Sequence, residues 1–138
     1  MSTIVPQQSL ILERQCFFQL DIVAVSPDAS KIALIQVKTM SQGNNQDWKL
    51  GVDFCRKNNN TLLFTILVNI TNEKIEYYIY EYDVFAELVE SFHHKYLEVL
   101  KRNGEKRKEI GFRWYDLKHF TDDDKRRKNA WGILGFNL

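Results

Sequence analysis

Apolar positions along the chain follow two periods, and the switch between them divides the sequence into elements. Residues 16–25 are rich in aromatic and β-branched side chains and read as a strand; residues 31–39 read as a second. Between them "SPDAS", residues 26–30, is a turn, because proline fixes one dihedral while Asp and Ser supply local hydrogen bonds. "TLLFTILVNI", residues 61–70, is nearly all apolar, as a central strand buried on both faces requires. Residues 75–82 predict a further strand. From 84 to 101 the pattern changes to helical spacing, with Val84, Phe85, Leu88, Val89, Phe92, Tyr96, Val99 and Leu100 on one side and Asp83 as N-cap.

The remaining segments are shorter. Residues 1–9 are polar and read as loose, and 8–14 predict one or two helical turns. Residues 41–47 are a polar loop. Residues 48–56 predict a short helix with Leu50, Phe54 and Cys55 inward, against which Gly51 counts. Residues 103–109 are a charged loop and 111–117 an extended segment. Thr121 with Asp124 has the form of a capping box ahead of a last helix over 122–131. Short turns join the first two strands and the next two, so each of those pairs is predicted antiparallel. The fold class is α/β.

Composition narrows this picture. The chain has 138 residues, 44% hydrophobic and 13% aromatic, which suits one globular domain over 1–138. The formal net charge is +1, so bulk charge gives no argument for nucleic acid and a local basic patch must supply one. The two cysteines, Cys16 and Cys55, stand far apart and exclude a Cys-rich zinc site. The longest apolar runs are too short to span a bilayer, and no signal-peptide pattern opens the chain, so a cytoplasmic protein with free thiols and no membrane partner is expected.

Candidate chemistry lies in the first hairpin. Closing it around residues 26–31 makes partner numbers sum to about 57, so Val25 faces Ile32 and Asp21 faces Gln36. Lys38, two residues on from Gln36, projects from the same face. A carboxylate, a carboxamide and an ammonium thus meet among apolar neighbours, where charges are costly unless paired or metal-bound. Two explanations stand: an Asp21–Lys38 ion pair at the sheet rim, or a catalytic centre.

Asp21 followed by Gln36-Val37-Lys38, within "DIVAV…SKIALIQVKT", resembles the PD-(D/E)XK nuclease superfamily in its D…QxK variant, and is similar to group I intron-associated homing endonucleases and related small bacterial proteins. The later "TLLFTILVNITNEKIEYYIYEYDVF" and "KNAWGILGF" extend the resemblance over roughly residues 16–138. It implies a restriction-endonuclease-like mixed sheet with an antiparallel hairpin core and flanking helices. It implies a Mg²⁺-dependent (or Mn²⁺-dependent) endonuclease hydrolysing DNA, with Asp21, Gln36 and Lys38 catalytic. Asp21, Gln36 and the Val37 carbonyl would hold the metal, and Lys38 would orient water and stabilise charge at the phosphate. Oxygen ligands of this kind suit Mg²⁺, although glutamine brings no charge. The chain departs from the pattern upstream, where a long helix that commonly adds a glutamate is reduced to a stub. Glu13, the only acidic residue before Asp21, is the candidate replacement. That departure leaves open a catalytically inactive nuclease-fold module that binds nucleic acid or protein in defence or counter-defence. The sheet edge left by the absent first strand would favour a homodimer or higher oligomer.

Other polar features carry less. Asp28 completes a literal Pro-Asp pair but sits in the turn. The runs Lys101, Arg102, Lys106, Arg107, Lys108 and Lys125, Arg126, Arg127, Lys128 are candidate nucleic-acid contacts, the second preceded by Asp122, Asp123 and Asp124 in the order that also suits the helix dipole. His93 and His94, adjacent on a helix, point about 100° apart and cannot share a metal. His119 is isolated.

Overall fold

The computed structural model of the chain describes residues 19–40, 47–51, 57–109 and 112–136. Two strands, β1 (Ile22–Val25) and β2 (Ile32–Thr39), form the expected antiparallel hairpin. Its turn is held by Asp28, whose Oδ1 accepts from Ser26 Oγ (2.8 Å), Ser30 N–H (3.0 Å) and Ser30 Oγ (2.7 Å). Ala29 takes a left-handed φ of 60° to close it. The register pairs Ile22 with Ile35 and Val25 with Ile32, as the turn position predicted. The strand begins later than expected, at Ile22 rather than at residue 16; residues 16–18 lie outside the described residues.

Strand β2 also pairs in parallel with β4 (Leu63–Asn69), and β4 pairs antiparallel with β5 (Glu76–Glu81), giving a mixed four-stranded sheet in the order β1-β2-β4-β5. A parallel pair needs a crossover connection. Part of that crossover is β3 (Asp47–Leu50), which pairs with β6 (Arg113–Asp116) in a separate two-stranded sheet. The helix expected from residue 48 is therefore a strand at its start. Trp48 and Leu50 turn inward and Lys49 outward, a period of two that β6 stabilises with a ladder. Residues 52–56, with Phe54 and Cys55, lie outside the described residues, as do the helical turns expected over 8–14.

Helix α1 (Tyr82–Glu98) follows β5 with no intervening loop. Its N-cap is Glu81, the last strand residue, rather than Asp83. Asp83 falls in the first turn, and its carboxylate accepts instead from the N–H groups of Asn58 (2.6 Å) and Asn59 (2.9 Å). The short helix α2 (Asp122–Arg126) has the predicted capping box: Thr121 Oγ1 accepts from Asp124 N–H, and the Asp124 carboxylate accepts from Thr121 N–H. It ends before residue 131, because Arg127 to Asn129 run instead along the outer edge of β5. Ile79 N–H donates to the Arg127 carbonyl (3.1 Å) and Asn129 N–H to the Tyr77 carbonyl (2.7 Å).

The main sheet is covered on both faces, which explains the apolar run of β4. On one face Leu67, Tyr78 and Tyr80 pack with Trp48, Leu50, Phe85, Val89 and Tyr115 beneath α1 and the small sheet. On the other, Ala33, Ile35, Phe64, Ile66 and Ile79 lie under the 3₁₀ turn Trp131–Leu134 and Phe136. The fold is mixed α/β. Among the described residues no helix is long and apolar enough to cross a membrane.

Candidate functional site

The hairpin places Asp21 at the point where β1 starts. Its N–H donates to the Ile35 carbonyl (3.0 Å), and its Oδ2 accepts from the Val37 N–H (2.8 Å). The carboxylate thus takes the place that a backbone carbonyl would hold one step further along the ladder. In an extended strand the N–H and C=O of one residue leave toward the same edge. The Val37 carbonyl therefore emerges beside the Asp21 carboxylate, with no backbone donor among the described residues.

Gln36 lies on the helix-covered face and is buried, only 4% exposed. Its Oε1 is 3.5 Å from the hydroxyl of Thr65, its register partner on β4, a contact at the outer limit of a hydrogen bond. The carboxamide thus leans toward β4, while Asp21 lies on the β1 side. Lys38 is half-buried on the same face as Gln36. Among the described residues no ion pair joins Lys38 to Asp21, so the rim ion pair is not formed. The structure therefore joins Asp21 to the Val37 backbone and sets Gln36 and Lys38 on one face of β2. Glu13 lies outside the described residues. Among the described residues no three His, Cys, Asp or Glu side chains gather as a metal cluster.

The two basic runs have different surroundings. Arg127 donates to Asp123 Oδ2 and Glu81 Oε2, both at 3.0 Å, and Lys128 lies 2.7 Å from Glu76. The Lys128 hydrogen bond holds the Glu76 carboxyl below its usual range, and the same bond raises the lysine. Arg126 is 3.9 Å from Asp123. Arg107, by contrast, donates through Nε to the Val99 carbonyl (2.9 Å) and through Nη1 to the Tyr96 hydroxyl (3.4 Å), both uncharged. Lys106 is exposed without a carboxylate partner among the described residues.

Two groupings escaped the sequence reading. Buried Asp124 accepts from Tyr80 OH (2.8 Å), Tyr115 OH (3.0 Å) and Thr121 Oγ1 (3.0 Å) in addition to the cap. Burial, then the bond to Asp124, pushes the Tyr80 hydroxyl far above its ordinary value; burial, then the charge of Asp124, does the same to Tyr115. Nothing local in the sequence links residues 80, 115 and 124. The second grouping is around His119, whose Nδ1 is 2.5 Å from Asp116 Oδ1 and which shares a cavity with His93, Asp47 and Trp114. His93 is itself buried and bonds Glu109 (2.8 Å), a bond that lowers the Glu109 carboxyl.

Comparison with family models, with curated proteins and with solved structures finds no match to this chain.

Proposed function

We propose that the chain is a metal-dependent, endonuclease-like protein of the PD-(D/E)XK type that hydrolyses DNA phosphodiester bonds in the cytoplasm and self-associates. Its main support is the seat of Asp21 against the Val37 backbone, beside Gln36 and Lys38 on β2. Asp21 Oδ1, the Val37 carbonyl and the Gln36 carboxamide are all hard oxygens, so the donor chemistry fits Mg²⁺ or Mn²⁺. With one formal charge among them, affinity should be weaker than for a site with two carboxylates. A bound divalent ion would supply charge at the phosphoryl oxygen and acidify a water. Lys38 lies on the same face of β2 as Gln36 without a carboxylate to neutralise it among the described residues, which suits a group that steadies a phosphate.

The test is nicking of supercoiled plasmid and cleavage of oligonucleotides with Mg²⁺ or Mn²⁺. Wild type should cut, and Lys38→Ala and Asp21→Asn should each lose activity by roughly 100-fold or more, the scale of a removed charge-stabilising group. Equal inertness of wild type and Lys38→Ala removes the enzymatic assignment. One observation favours a second reading, a nuclease-type scaffold that binds without cutting: Asp21 already spends Oδ2 on the Val37 N–H, so the carboxylate has a structural task. Under that reading Mn²⁺ leaves the melting temperature unchanged. Under the first, Mn²⁺ raises it and Asp21→Asn abolishes the rise.

A further inference from the structure

Two adjoining cavities, of about 380 and 230 Å³, open at the end of α1 and share Phe92, Tyr96 and His119 as walls. Lys95, Val99 and Arg107 complete the larger. The cations belong to the larger cavity, whereas the smaller carries Asp47 and Asp116 in its wall. Over residues 95–108 six Lys and Arg side chains stand against two carboxylates, a local charge of +4 in a chain whose formal charge is +1. The rest of the protein is therefore net acidic.

The treatment of Arg107 distinguishes it from Arg113 and Arg127. Arg113 is held by Glu90 (3.1 Å) and Glu109 (2.9 Å), and Arg127 by Asp123 and Glu81. Those guanidinium charges are neutralised. Arg107 is oriented instead by the Val99 carbonyl, the Tyr96 hydroxyl and the Tyr96 ring 4.7 Å from its centre, and none of these carries charge. It is oriented in advance while no carboxylate among the described residues compensates its charge. A planar guanidinium of that kind matches phosphate geometry. Lys101 and Arg102 occupy a tight turn closed by the bond from Lys101 N–H to the Glu105 carbonyl, and both side chains are exposed.

We infer that this groove binds single-stranded nucleic acid, with phosphates along Lys95, Arg107 and the 101–108 loop and a base entering the aromatic cavity. It rests on the proposed nucleic-acid function and names the form of substrate and a second site for it, apart from the hairpin. A polyanion that also carries aromatic rings satisfies both halves of the groove; single strands are bound in this way, by cationic tracks and side chains on which bases stack. A duplex keeps its bases stacked inside and offers the cavity nothing. The other basic run, 125–128, is interleaved with Asp123, Glu81 and Glu76 and is the poorer track.

The experiment is fluorescence anisotropy of a short fluorescein-labelled, mixed-sequence DNA single strand titrated with the full chain in EDTA, where no cutting interferes. Wild type should bind it more tightly than the matching duplex. Lys95→Ala/Arg107→Ala should weaken binding roughly tenfold through the loss of two phosphate contacts. It should also make the salt dependence shallower by roughly 1.4, the value for two fewer phosphate contacts on a single strand. Lys125→Ala/Arg126→Ala should leave affinity unchanged, and circular dichroism melts of both variants check that they fold. No binding by wild type, equal binding of duplex, a larger loss from the 125–126 pair, or displacement by polyglutamate as readily as by unlabelled strand each overturns the groove assignment, the last in favour of an acidic protein partner. Loss of plasmid cleavage in Lys38→Ala with strand binding intact separates the two sites, since the hairpin assignment then stands whatever the groove does.

Discussion

Asp28 and Asp21 belong to one hairpin and serve it differently. Asp28 is exposed, yet three donors from Ser26 and Ser30 converge on its Oδ1, and its carboxyl is lowered from 3.8 to about 2, the Ser30 hydroxyl contributing most. A carboxyl lowered on folding stabilises the native state above its unfolded value, and that contribution is lost as pH falls through the folded one. The turn should therefore hold its full contribution above about pH 4 and lose it toward pH 2. Carboxyl ¹³C NMR should place the Asp28 titration near its lowered value, and Ser30→Ala should move it back toward 3.8. An unmoved midpoint in the variant would show that the Ser30 hydroxyl is not the cause. Asp21 does not stabilise a turn; it ends a ladder, occupying the Val37 N–H from the side. The register of β1 on β2 was readable from the turn position alone, since a two-strand register is fixed once its loop is; Asp21 departs from it, because its N–H donates to the carbonyl of Ile35, the partner of Ile22. That the carboxylate would take a backbone donor was not readable, because it depends on where β1 begins.

At the level of elements, the C-terminal segment hangs on one buried carboxylate. Asp124 is fully buried and meets two tyrosine hydroxyls from β5 and β6 and two donors from Thr121. Asp124→Ala would leave all of these donors without an acceptor in an apolar surrounding, at a cost of about 3–5 kcal/mol. Tyr80→Phe removes one donor and should cost about 1 kcal/mol. Chemical denaturation of the two variants checks the ratio; equal effects would mean that the carboxylate is not the hub. The capping box half of this arrangement was legible, because Thr121 and Asp124 are three residues apart. The tyrosine half was not, because its partners come from other strands. The same distinction explains the strands: β1, β2, β4 and β5 pair across short turns or carry long apolar signals, whereas β3 is four residues whose partner β6 lies far along the chain. Its alternation, Trp48 and Leu50 in and Lys49 out, was present in the sequence but too brief to outweigh a helical reading. Likewise Arg127 and Lys128 looked free for phosphate until Glu81 and Glu76, from a distant strand, were brought beside them.

Across the whole molecule, the two edges of the main sheet are unequal. The outer edge of β5 is covered by Arg127 to Asn129, which take its Tyr77 carbonyl and Ile79 N–H. On β1, by contrast, Ile22, Val23 and Val25 are 47%, 52% and 55% exposed, and Ile32 opposite Val25 is 39% exposed. Consecutive residues of a strand point to opposite faces, so β1 presents apolar side chains on both. An edge of this kind is a pairing surface, and natural sheets that must stay apart place charge or proline on it. A second copy of the chain pairing along β1 would bury these side chains and bring two hairpins, each with its Asp21 and Lys38, to one interface. Light scattering at micromolar concentration should therefore give a homodimer or larger. Val23→Lys puts a charge on the edge, away from the buried core, and should shift the mass toward the monomer while the far-ultraviolet circular dichroism spectrum stays the same. A wild-type monomer under those conditions would rule the β1 interface out. If Val23→Lys instead leaves the mass unchanged, the association uses another surface.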